Sequence, residues 1–351
     1  MTLYPIHIIS DHHGPLVLES WTPLPLLYDR LKSAKGRTPA QLTTQFTEVI
    51  ARDANGTEYD CRGYEIKSEA QSDYSNDFFA LVQGGWLPSQ LSGAHYMLLP
   101  DRNVVGRLGA RRLALVDAGR PEDLLDLLLD NAVTVNPMAY AMEGAQGHQP
   151  DENEVGRLLE KAHSEIRRAM PSAKVLPNIA SATKGLMNLL ADERSSLERE
   201  QHFLMEAFPL LRPVLSAGKR KPVIAELRSI AEKNEVSVKS FAFLLAWLTL
   251  VLPQDKNPAF RILKPHEHRN ASVKAYNALS DVRLLKLLTY AIALFPDKPT
   301  AVLTGDIGLA QFWVGLGVDQ IVLKNGHPTF TIVTDGDFFS EASEEELKIF
   351  Q

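Results

Sequence analysis

Apolar and polar positions along this chain change rhythm several times, and each change predicts a different kind of element. Residues 1–90 show strand-like runs, LYPIHII and QFTEVIARDANGTEYDCRGYEI. Asn55-Gly56 suits a tight hairpin turn between strands over 47–51 and 57–64. Residues 25–35 fit one short helix between these runs. HYMLLP, residues 95–100, is a short apolar run expected to form a buried strand that ends at Asp101. A leucine-rich stretch over 120–130 predicts a helix, with Pro121 at its start and acids in its first turn. A second strand is expected over 132–135, then a helix in MAYAMEG closed by Gly144.

From residue 150 to 252 the spacing is helical, with its clearest segments over 154–170, 182–208, 222–234 and 238–252. Strand and helix then alternate again. A helix is expected over 280–294 with Ser280 as its N-cap, and a strand in TAVLT, 300–304. A helix over 308–316 and a strand in DQIVL, 319–323, come next. One more strand over 328–333 precedes an acidic C-terminal helix. This alternation predicts an α/β fold around a parallel sheet.

Composition narrows the picture. The 351 residues are 45% hydrophobic and 23% charged, enough for a large core. The net charge of −6 gives no global attraction to nucleic acid, so a polyanion would need a local basic patch or a metal. The single Cys61 excludes an intrachain disulfide and a cysteine-rich zinc module. FAFLLAWLTLVL is too short to span a bilayer and is expected to be a buried helix. A soluble, cytoplasmic protein without membrane association is the expectation.

Ligand sites in parallel α/β sheets form beyond the carboxyl ends of the strands. Asp101 and Asp306 follow apolar strands there, and Glu143 and Asp281 lie on helices able to reach the same edge. Gathered carboxylates repel and raise one another's pKa, and a hard divalent cation with oxygen ligands relieves that repulsion.

These residues carry a resemblance. LLPDRNVV resembles the first motif of the PIN nuclease domain, AYAMEG places Glu143 where that family keeps its second acid, and SDVRLLKLLTYAIAL resembles the third motif. AVLTGDIGLAQFWVGLGVDQIVL resembles the fourth most closely. The resemblance implies a PIN-like core built from 91–145 and 271–351. Residues 1–90 would then be a small α/β appendage, and 146–270 a large all-helical insertion. It implies an endonuclease using Mg²⁺ or Mn²⁺ on Asp101, Glu143, Asp281 and Asp306, with Asn103 and Thr304 in support. It implies a nucleic-acid substrate, RNA in preference to DNA, with the helical insertion offering a face for a protein partner or a second copy.

Basic residues flank the proposed acids. Arg102, Arg107, Arg111 and Arg112 follow the first motif, and Lys264, His266, His268 and Arg269 precede the third. Those arginines and lysine are the expected contacts to a nucleic-acid backbone. Lys219-Arg220-Lys221 is expected in a loop, and TDGD at 334–337 as an acidic turn. One rival is a non-catalytic nucleic-acid-binding or scaffold protein on the same core. Another is a metallo-phosphoesterase using Asp11-His12-His13, although that cluster fits a polar turn better.

Overall fold

The computed structural model describes the chain except for residues 1–5, 11–12, 34–40, 72–76, 89–90, 92–95, 113–123, 130–131, 144–147, 213–214, 255–256, 268–269 and 349–351. The molecule is mixed α/β, with three sheets among the described residues.

The first sheet is antiparallel: β1 (Ile6–Ser10), β2 (Gly14–Pro23), β3 (Gln41–Asp53), β4 (Glu58–Cys61) and β5 (Ile66–Gln71). The hairpin at Asn55-Gly56 forms. Gly56 takes a φ of +86°, and Asp53 Oδ1 accepts from the Asn55 and Thr57 amides. Strand β3 pairs with β4 through one half and with β5 through the other, and Glu48, at φ +52°, lies between the two pairings. Leu16, Leu18, Trp21, Phe46, Val49 and Ala51 form a small core of their own.

The central sheet has the order β10-β9-β8-β11-β6-β7. Its strands are β6 (Phe79–Val82), β7 (Gly85–Pro88), β8 (Met97–Pro100), β9 (Thr134–Val135), β10 (Lys174–Val175) and β11 (Thr300–Thr304). The first four in that order are parallel, but β6 runs antiparallel to β11 and β7 antiparallel to β6. The sheet is therefore mixed, not purely parallel. Two of its strands come from residues 1–90, and one, β10, comes from the stretch expected to be all-helical. Gly84 and Gly85 make the β6–β7 turn possible, both at positive φ. A Cβ on Gly85 would sit 2.3 Å from the Leu26 carbonyl oxygen.

Strand β12 (Val318–Lys324) does not continue the parallel sheet. Among the described residues it pairs only with β13 (His327–Ile332), as a separate antiparallel hairpin. Most of β12 is solvent-accessible, carrying Asp319, Gln320 and Lys324, whereas every residue of β11 is buried.

The helices are α1 (Tyr28–Ser33), α2 (Arg102–Arg112), α3 (Leu124–Leu129), α4 (Met138–Met142), α5 (Glu152–Ala169) and α6 (Ile179–Ala207). They continue with α7 (Ala217–Lys233), α8 (Phe241–Val251), α9 (Pro258–Leu263), α10 (Ala271–Leu294), α11 (Ile307–Leu316) and α12 (Glu344–Leu347). All residues of α8 are buried, as its uniformly apolar sequence requires. Helix α11 covers the mixed half of the sheet, where Trp313 Nε1 donates to the Val82 carbonyl at 2.8 Å.

Two helix starts differ from expectation. Helix α10 begins at Ala271, capped by Asn270, whose side chain accepts from the Ser272 amide. Ser280 is therefore an interior position, because 271–279 has no breaker and buries Ala275, Tyr276, Ala278 and Leu279. Helix α7 begins after Ser216, so Lys219-Arg220-Lys221 lies in its first turns and not in a loop. Among the described residues, no helix is long and apolar enough to cross a membrane.

Candidate carboxylate site

Strands β8 and β11 are parallel neighbours in register, with Leu303 opposite Pro100. The residues just beyond their carboxyl ends therefore meet. Asp101 donates its backbone amide to the Leu303 carbonyl at 3.0 Å, and its side chain is almost fully buried. Both carboxylate oxygens are held: Oδ1 accepts from the Val104 amide at 2.7 Å, and Oδ2 from the Thr304 hydroxyl at 2.7 Å. Asp101 thus ends a strand and caps α2 at once.

Thr304 is the link to the next acid. Its Oγ1 donates to Asp101 and accepts the Asp306 backbone amide at 3.0 Å. Asp306 caps α11, Oδ1 taking the amides of Gly308 at 2.7 Å and Leu309 at 3.0 Å. Glu143, at the C-terminal end of α4, returns to the first acid's helix, where its Oε1 accepts the Arg102 amide at 3.2 Å. Asp281 projects from the interior of α10, about three turns in, and not from a helix start.

Three of the acids are pushed up in pKa. Burial pushes the Glu143 carboxyl up to about 8, helped by the charges of Asp101 and Asp281. Burial also raises Asp281 to about 7, with Asp306 and Asp101 adding repulsion while Lys264 opposes it. Asp101 is raised by burial and by Asp306, against the hydrogen bonds from Thr304 and Val104. Hydrogen bonds join Asp101 to Asp306 through Thr304 and bring Glu143 to the Arg102 amide beside them. Even so, among the described residues no three His, Cys, Asp or Glu side chains stand ready to share one metal ion.

The remaining expected residues divide. Asn103 is exposed on the first turn of α2, where its backbone amide faces Asp101. Arg102 is exposed with its guanidinium 5.7 Å from the Tyr140 ring, and Arg107 is exposed 5.2 Å from the Phe78 ring. Lys264 is exposed at the C-cap of α9 and acts on Asp281. Arg111 differs: its side chain is 7% exposed and is paired with Asp126 at 3.2 Å, so it is a structural cation. The side chain of Arg112, and Arg269, His268, Asp11 and His12, lie outside the described residues.

Lys219-Arg220-Lys221 serves the fold. Arg220 donates to the Val251 and Glu341 carbonyls, and Lys221 pairs with Glu345 at 2.9 Å. Asp335 of TDGD accepts the amides of Asp337 and Phe338 and makes a closed turn. One cation escaped the sequence reading. Arg261 on α9 donates to Gln311 of α11 at 3.3 Å, and its Cβ lies 3.3 Å from where a Cβ on Gly308 would be. Nothing in RILKPHEH marks it out, because the approach of α9 to α11 is purely tertiary.

No family model matches this chain, nor does any curated protein or solved structure.

Proposed function

We propose that this protein is a Mg²⁺- or Mn²⁺-dependent endonuclease with a PIN-like core, acting on RNA in preference to DNA. The observation that carries the reading is that Thr304 links Asp101 and Asp306 beyond the ends of two parallel strands while Glu143 reaches the Arg102 amide beside them, with the Glu143 and Asp281 carboxyls raised by burial and by neighbouring acids. A cluster of this kind is costly in an apolar site unless something positive shares it.

The donor set is all oxygen, as hard cations prefer. Asp101 and Asp306 would be the main ligands, with Asp281 and Glu143 completing the set. A bound Mg²⁺ or Mn²⁺ would supply an acidified water and offset charge on the leaving oxygen. The Thr304 hydroxyl and the Val104 amide hold Asp101 in one orientation, leaving its other lone pairs to ligate. Arg102, Arg107 and Lys264 would hold the phosphate backbone from the rim, and Arg261 joins them.

The test is cleavage of labelled single-stranded RNA and DNA with Mn²⁺, wild type against Asp101→Asn. The variant keeps an N-cap side chain, and loss of several kcal/mol of transition-state stabilisation makes it about a thousandfold slower. Equal rates for the two proteins would overturn the reading. The lack of a ready three-acid group favours one second reading, a nucleic-acid-binding or scaffold protein on the same core. That reading predicts RNA binding without cleavage in either protein.

A further inference from the structure

A second, larger feature lies away from the acids. One face of β8 and β9 opens onto a groove of about 830 Å³, walled on its other side by α6 and α10. Its floor and walls are largely apolar, with Tyr96, Met97, Leu99, Leu189, Leu294 and Phe295 among them. Met97 and Leu99 alternate onto the same face of β8, as strand geometry requires. Leu294 and Phe295 are 50% and 51% exposed. The volume falls within the roughly 300–1,000 Å³ of small-molecule sites.

A polar group is buried in this apolar setting. Asn136 lines the groove and is only 8% exposed. Its Oδ1 accepts the Met138 amide at 3.0 Å, which fixes the amide nitrogen as the group left over. No described residue accepts from that nitrogen, and it is not closed off from the solvent that fills the groove. A ligand oxygen would take the place of water on that donor. The strand register then adds charge. Lys174 lies opposite Thr134, two residues from Asn136, and lines the groove. Lys298 and Asp297 at the rim cancel each other, leaving Lys174 as the net positive charge.

We propose that the groove binds a small apolar carboxylate. Its hydrocarbon or aromatic body would rest on Tyr96, Leu99 and Phe295. Its carboxylate would accept from the Asn136 amide nitrogen with Lys174 as counter-charge. This site does not depend on the nuclease reading, because its test measures binding alone.

The experiment uses the full chain and decanoate as probe, titrated calorimetrically, with decanol as the uncharged comparison. The expected result is saturable decanoate binding that is about tenfold tighter than that of decanol. Asn136→Asp retains the acceptor for Met138 and replaces the donors with a negative oxygen. It should weaken decanoate by about tenfold or more and leave decanol unchanged. Lys174→Gln, an exposed position, should weaken decanoate alone by a smaller factor. Ala291→Trp, on the groove wall, should remove both. Should Asn136→Asp fail to fold, the other two variants decide. No saturable binding, equal affinity for decanoate and decanol, or wild-type decanoate affinity in Lys174→Gln and Ala291→Trp would overturn the proposal.

Discussion

At the scale of single residues, Glu143 and Asp281 are where folding and chemistry pull against each other. Each is easier to protonate in the folded chain than in the unfolded one, at about 8 and about 7 against ordinary values of 4.5 and 3.8. Between those limits the folded state binds more protons, so stability falls as pH rises. The penalty starts near the ordinary values and is complete above the folded ones. Glu143→Gln and Asp281→Asn should therefore melt at a higher temperature than wild type at about pH 9, and at nearly the same temperature at about pH 4. Thermal melts across that range check this, and a gap that is constant with pH would contradict it. Mn²⁺ should narrow the gap at high pH by stabilising wild type more than either variant.

Much at this scale was legible. Asp101 and Asp306 stand out because each follows an apolar strand and precedes a helix, where a carboxylate both caps and reaches a ligand. Arg111 was not legible: its pairing with Asp126 depends on how α2 meets α3. Asn136 was not either, since its unmatched amide appears only once Met138 has taken the other end.

At the scale of elements, helix interiors were easier to read than helix starts. The all-apolar α8 and the amphipathic α5 follow from spacing alone. Ser280-Asp281 imitates an N-cap, yet the true cap of α10 is Asn270. Local sequence does not separate the two, because the deciding term is the burial of Ala275, Tyr276 and Leu279 against neighbouring elements.

Asn257 shows an element junction held by one side chain. It is fully buried, donates to the Leu248 and Leu252 carbonyls, and accepts from the Ala259 and Phe260 amides. It closes α8 and opens α9, the helix carrying Arg261 and ending at Lys264. Asn257→Ala leaves buried carbonyls and amides unmatched and should cost about 2–4 kcal/mol. Urea unfolding measures this, and a loss below about 0.5 kcal/mol, an ordinary surface effect, would contradict it.

At the scale of the molecule, long-range pairings set what sequence patterns cannot. Lys286 on α10 lies 3.0 Å from Glu193 and 2.9 Å from Glu200, both on α6, and Tyr290 bridges Glu193 to His327 of β13. The lysine side chain is 17% exposed, and that of Glu200 is 5% exposed. Lys286→Met would strand two inward-facing carboxylates, at a cost of about 3–5 kcal/mol. The double variant with Glu200→Gln should recover part of that loss in a double-mutant cycle, and full additivity would contradict the pairing. No periodicity announces such a triad. Nor does any local pattern announce that β6 and β7, from the first ninety residues, complete the sheet beside β11.

The α/β class and the acid-bearing strand ends were visible early. The mixed sheet was not, because antiparallel additions depend on which edge remains open after the parallel strands have packed. Two parallel strand ends and a short helix bring Asp101, Asp306 and Glu143 into one hydrogen-bonded neighbourhood, and Asp281 on the middle of a long helix acts on Glu143. If that neighbourhood exists to hold a hard divalent cation, Mn²⁺ binding reports it directly. Calorimetric titration at about pH 8 should show saturable binding to wild type, much weakened in Asp101→Asn and in Asp306→Asn while both variants remain folded. Equal Mn²⁺ binding by all three proteins, or none by wild type, would contradict the account.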